Sequence, residues 1–168
     1  CNNLIKKAKG KYIAIFHSDD VYNKDIIHKQ VKFLEDNVKF AGVFSQRNLI
    51  DDNNNPIKCP LLDFELKNGG VIDVDLDFYI SEMLVKDNYI LVCPTSMVRR
   101  SVYIELGGYS EVDYIEDQTM WVKILENYKL AILNERLMSR RIHKNQGIVK
   151  SLERDKLSVH LQFYEEYF

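Results

Sequence analysis

Near the start of the chain, Lys11-Tyr12-Ile13-Ala14-Ile15-Phe16-His17-Ser18-Asp19-Asp20 sets an apolar run directly against two adjacent carboxylates. The run from Tyr12 to Phe16 has the pattern of a strand covered on both faces, as in a parallel α/β sheet. A turn at Val21-Tyr22-Asn23 follows. Ile27, Val31 and Leu34, spaced four and three apart, then predict a helix with one apolar face. Ligands of such sheets sit in the crevice beyond the carboxyl ends of the strands. A carboxylate pair at that edge is placed for chemistry.

Adjacent aspartates repel one another, and ionising both is costly unless a cation or hydrogen-bond donors offset the charge. Successive side chains in extended backbone point to opposite sides. One of the pair can therefore hold a divalent metal while the other bonds a neighbouring hydroxyl. The plainer alternative is a pair of solvated aspartates opening a turn, where Asp supplies local turn bonds.

With 168 residues, 46% of them hydrophobic, the chain can bury one core and reads as a single domain over 1–168. Its 23 basic and 25 acidic residues are well mixed, for a net charge of −2. That leaves no basic field for nucleic acid and no polybasic patch for a membrane surface. Cys1, Cys59 and Cys93 show no Cys-x-x-Cys spacing, which argues against a zinc site or disulfide framework and for a reducing compartment. No apolar run approaches the ~20 residues that cross a bilayer. The expected location is the cytoplasm, with a peripheral position at the inner face of the membrane as its variant.

Taken in order, Asn2 to Lys9 reads as the end of a helix stopped at Gly10, and Phe40 to Ile50 as a second strand. Asp51-Asp52-Asn53-Asn54-Asn55-Pro56 is a turn with solvated carboxylates. Cys59 to Asp75 is poorly patterned and reads as irregular connection or short edge strands. Asp77 to Lys86 reads as a helix with Ile80 and Leu84 on one face. Pro94 argues against a central strand running through Tyr89–Arg100. A short helix from Ser101 to Leu106 is expected to end at Gly107-Gly108 as a C-cap.

Trp121, Ile124, Leu125 and Tyr128 share a helix face and belong to the core. Glu116 and Asp117, at the start of that helix, suit N-terminal capping. Lys129 to Leu133 reads as a strand, His28 and His160 as solvated. An amphipathic helix at about 151–167 carries Leu152, Val159 and Phe163 on one stripe.

Ala8 to Asp20, followed by Lys29-Gln30-Val31-x-Phe33-Leu34-Glu35, resembles the family 2 glycosyltransferases, enzymes of the GT-A fold that use nucleotide sugars. The carboxylate stretch is similar to their Asp-x-Asp-Asp motif, with His17 standing where the pattern has its first Asp. Two later blocks follow in the family's order. One is Thr95-Ser96 through Arg99-Arg100 to Gly107-Gly108-Tyr109, and the other runs from Leu137 through Arg141 and His143 to Asn145.

The resemblance implies a mixed, mostly parallel α/β sheet flanked by helices, with its first strands lying before Cys1. A βαβ portion of roughly 30 residues or more would be missing, and the chain is expected to be a fragment. Asp19 and Asp20 fall on positions that bind nucleotide ribose and metal, and Asp20 with His143 would hold Mn²⁺ or Mg²⁺. Glu116-Asp117 falls on the family's Glu-Asp motif, in which the Asp, here Asp117, is the catalytic base.

The expected reaction is metal-dependent, inverting transfer of a sugar from a nucleotide-diphosphate donor, first of all a UDP-sugar, to a saccharide acceptor hydroxyl. Glycan or polysaccharide synthesis is the setting this implies. Homo-oligomerisation through an exposed sheet edge or the C-terminal helix would suit such a fragment. Two rivals remain at this stage. A glycosyltransferase-like binding domain without activity is one, and a glycoside hydrolase, which needs two acids flanking the bond and no metal, is the other.

Overall fold

A computed structural model describes residues 1–58, 70–85, 90–110 and 116–143. The helix expected at about 151–167, Cys59 and His160 lie outside the described residues. The elements run α1 (Asn2–Lys7), β1 (Tyr12–Ala14), β2 (Val21–Tyr22), α2 (Ile26–Asp36), β3 (Phe40–Ile50), β4 (Pro56–Ile57), β5 (Val71–Val74), α3 (Leu76–Ile80), β6 (Met97–Arg99), α4 (Arg100–Glu105), α5 (Glu116–Asn127) and β7 (Lys129–Arg141). A π-helical turn, Ser81–Val85, prolongs α3, and a 3₁₀ turn, Cys93–Thr95, precedes β6.

One mixed sheet carries the strand order β1-β6-β3-β7-β2, with β4 added to β3 and β5 to β7. The two longest strands, β3 and β7, pair in parallel from Phe40 opposite Lys129 to Ile50 opposite Arg141. β6 lies antiparallel between β1 and β3, so β1, β3 and β7 all run in one direction. The parallel character expected of the sheet resides in those three strands, whereas the remaining pairings are antiparallel. β6 itself escaped the sequence reading. Pro94 does break the segment, in the 3₁₀ turn, but three residues later the chain re-enters the middle of the sheet.

Alternation along β7 sends Leu130 and Ile132 to one core and Ala131 and Leu133 to the other, so helices cover both faces. On one face α2 packs Ile26 and Leu34 against Phe40, Val43 and Met97. On the other, Trp121 of α5 is fully buried and meets Phe44 edge-on at 4.9 Å between ring centroids. Phe40 and Val43, three apart, share a face because the β3–β7 register slips between Phe40 and Gly42. Gly42 admits this crowding. A Cβ there would lie 2.8 Å from Val98 Cγ2 and 3.1 Å from both Leu130 Cδ2 and the Met97 carbonyl oxygen.

Several local expectations shift. β1 ends at Ala14 because its partner β6 is only three residues long, and Phe16 is left 44% exposed. The inward face of α2 is Ile26, Gln30 and Leu34, a strict spacing of four, and Ile27 points outward. Gln30 sits in the core because its Nε2 donates to the Thr95 carbonyl at 2.7 Å. Arg99 satisfies the C-terminal end of α2, donating to the Leu34 carbonyl at 2.6 Å and to the Phe40 carbonyl at 2.9 Å.

α1 stops at Ala8, whose backbone is extended, and not at Gly10. In the segment around α3, Tyr79 and Met83 are fully buried and Ile80 packs beside them against the same core, while the Leu84 side chain lies outside the described residues. Gly107 and Gly108 do end α4, with φ of 77° and 80° that favour glycine. Gly108 has a second constraint, because a Cβ would fall 2.5 Å from Asn2 Oδ1. Asn2 bonds both backbone groups of Tyr109, at 2.8 and 2.9 Å. Among the described residues no helix is long and apolar enough to cross a membrane.

Candidate active site

The carboxyl ends of β1, β3 and β7 converge on one edge of the sheet. Beyond β1 the chain turns through His17-Ser18-Asp19-Asp20 into β2, which pairs Val21 and Tyr22 with Ser139 and Met138 near the end of β7. The turn is pinned from below, since the His17 backbone N–H donates to the Tyr22 hydroxyl at 2.8 Å. The Phe16 ring covers Tyr22 at a centroid distance of 4.3 Å. Burial, with the nearby Asp20 and Asp19 charges, pushes the Tyr22 hydroxyl up to about 12, so it stays neutral.

Asp20 accepts the Arg141 backbone N–H on Oδ1 at 3.0 Å. Its other oxygen, Oδ2, is shielded from solvent and has no hydrogen-bond partner among the described residues. Burial is the main cause that raises the Asp20 pKa. The Asp19 charge adds to the rise, while the Arg141 N–H opposes it. Asp19 is more open and meets His143, with Oδ2 and Nε2 3.1 Å apart. One ligand atom from each of His17, Asp19 and Asp20 lies within 4.8 Å of the others. Two hard carboxylate oxygens with an imidazole nitrogen beside them make a donor set that fits Mn²⁺ or Mg²⁺.

Sequence reasoning paired Asp20 with His143 for the metal. The geometry differs in detail, because His143 touches Asp19 and His17 joins the carboxylates. Only the departure from Asp at the first motif position signalled His17.

Asp117 is the second residue of α5, and its Oδ1 accepts the Gln118 backbone N–H at 2.9 Å. Its charge reaches the buried Tyr103, whose hydroxyl is held well above its usual range, mainly by burial. Tyr103 and Tyr109 hydroxyls are 3.0 Å apart, and Cys93 Sγ lies 3.8 Å from the Tyr109 hydroxyl. Cys93 also acts electrostatically on both Tyr103 and Tyr22. Glu116 opens α5, and its side chain lies outside the described residues.

Residues 1–107 match the family described as Glycosyl transferase family 2. The chain belongs to this family. The matched stretch holds Asp19 and Asp20 and ends before Asp117 and His143. Among curated proteins, the chain is 26% identical over 157 residues to the "Uncharacterized glycosyltransferase MJ1057" of Methanocaldococcus jannaschii, covering 93% of this chain and 50% of that protein. The family 2 chain thus spans about half the length of this relative. Among solved structures, it superposes on S. aureus TarS residues 1–349 with a TM-score of 0.60 at 17% identity, over 83% of this chain and 38% of that one. At that identity the likeness speaks for the fold, a curled mixed sheet of the GT-A type.

Proposed function

We propose that this chain transfers a sugar from a nucleotide-diphosphate sugar, a UDP-sugar first of all, to a saccharide hydroxyl with inversion at the sugar carbon. Membership of glycosyl transferase family 2 supports the reaction class. The observation that carries the cation-assisted form is the cluster of His17, Asp19 and Asp20 beyond the end of β1, with Asp20 Oδ2 shielded and without a hydrogen-bond partner among the described residues.

In this reading Asp20 and Asp19, with His17 beside them, hold a divalent cation, and Asp19 also faces the donor ribose. When bound, the cation offsets the charge that builds on the departing diphosphate. His143 keeps the Asp19 carboxylate oriented through their contact. Asp117, alone or with Glu116, takes the acceptor proton on the face opposite the leaving group, which produces inversion. The cysteines Cys1, Cys59 and Cys93, without Cys-x-x-Cys spacing, favour the cytoplasm as the place of reaction.

The test is release of nucleoside diphosphate from a panel of nucleotide sugars, with and without Mn²⁺, by the intact protein. Metal-stimulated release that disappears in Asp20→Ala is the expected result. Release that is indifferent to chelation would defeat the cation-assisted form.

A further inference from the structure

Arg141 makes an arrangement that the reaction chemistry does not call for. It is the last residue of β7 and stands opposite Ile50, the last residue of β3. From that register its side chain reaches two loops at once. Nε donates to the Asp19 carbonyl at 2.9 Å, Nη1 to the Asp51 carbonyl at 2.7 Å, and Nη2 to Asn54 Oδ1 at 2.8 Å. Its backbone N–H meanwhile holds Asp20 Oδ1 at 3.0 Å. A planar guanidinium with donors in fixed directions can join three acceptors in this way, which a lysine cannot.

The turn at the far end is built to stay in place. Asp51 accepts the backbone N–H groups of Asn53 and Asn55, both at 2.8 Å, and Asn55 Nδ2 at 3.0 Å. Asn54 takes a left-handed backbone with φ of 66°, a conformation Asn tolerates better than most residues. That conformation presents its Oδ1 to Arg141.

We propose that Arg141 is a positioning residue that couples the Asp51–Asn55 turn to Asp19 and Asp20. A turn with no reacting group thereby sets the pose of the two carboxylates. Groups that orient ligating side chains commonly matter about 10–100-fold in metal affinity or activity. The proposal rests on the cation-assisted reading for its metal readout alone.

Asn54→Gly is the discriminating variant. Glycine keeps the left-handed turn and removes only the acceptor, whereas Asn54→Asp keeps an acceptor for the guanidinium. In the intact protein, Mn²⁺ titration by electron paramagnetic resonance should show binding weakened about tenfold in Asn54→Gly and further in Arg141→Lys. Asn54→Asp should stay near wild type. Hydrogen exchange at the Arg141 amide should quicken in Asn54→Gly and Arg141→Lys, with melting temperatures confirming that both are folded.

Unchanged Mn²⁺ affinity and amide exchange in the folded Asn54→Gly and Arg141→Lys variants would overturn the coupling. Wild-type protein that binds no Mn²⁺ would defeat the cation reading, and the Arg141 amide exchange would then decide the coupling by itself.

Discussion

Asp20→Asn should make the metal-free protein more stable while removing its response to Mn²⁺. In the wild type, Asp20 carries its charge with Oδ2 shielded, without a hydrogen-bond partner among the described residues, and with Asp19 alongside. Leaving a charged group unsatisfied in this way costs about 1–3 kcal/mol or more. Asparagine keeps the Oδ1 that accepts the Arg141 N–H and drops the charge, but its amide remains poorly partnered, so only part of the cost is recovered. A gain of about 1 kcal/mol is the expectation. For a chain of this size that corresponds to a rise of about 2–4 °C in Tm.

Mn²⁺ should reverse the order. A ligand at one hundred times its Kd stabilises the folded state by about 2.7 kcal/mol, worth about 5–11 °C on the same scale. The wild type should therefore overtake the variant. Linkage sets the pH window. The folded pKa of Asp20 is raised, so its favourable contribution is complete below the unfolded value, near 3.8, and is lost as pH rises through the folded value. The advantage of Asn should accordingly be present at pH 7 and vanish below about pH 4. Thermal unfolding at both pH values, with and without Mn²⁺, is the assay. A variant less stable than wild type without metal, or one that keeps the full Mn²⁺ shift, refutes the reasoning.

Other perturbations separate the site from its scaffold. Gly42→Ala should destabilise by about 1–3 kcal/mol through overpacking against Val98 and Leu130, read as a lower denaturation midpoint with an unchanged slope. Tyr22→Phe removes the acceptor of the His17 N–H and should cost about 0.5–1.5 kcal/mol, with Mn²⁺ affinity falling as the turn loosens. Asp117→Asn should lower turnover by about 10²–10⁴-fold while donor binding holds. Near-normal kcat there would assign Asp117 to steadying the first turn of α5 through the Gln118 N–H, which an Asn side-chain oxygen can still accept.

Much of this edge is legible in the chain because short-range rules dominate there. The apolar run ending in Asp19-Asp20, the β3 strand and the Asp51–Asn55 turn each follow from patterning within a dozen residues. What failed depended on partners distant in sequence. β1 stops early because β6 is short, and β6 was hidden by Pro94. Gln30 turns inward because the Thr95 carbonyl awaits it, so α2 shows a face different from the one its apolar residues suggest. His17 was passed over because the motif it replaces calls for an acid. Its place beside both carboxylates follows from how Tyr22 holds the turn.

Register is the sharpest case. Arg140 and Arg141 are adjacent and chemically identical, and extended backbone sends them to opposite sides. Composition offers no means of choosing between them. The parallel pairing of β3 with β7 makes the choice, because it brings both strands to the same edge and sets Arg141 beside Ile50. The loop after β3 and the turn after β1 then come within reach of one guanidinium. A slip of one residue along β7 would turn Arg141 away and present Arg140 instead. The bulges between Ser45 and Arg47 fall within the same pairing and fix the register of its final stretch. Irregularities in the middle of the sheet therefore determine which of two arginines steadies the carboxylates at its edge.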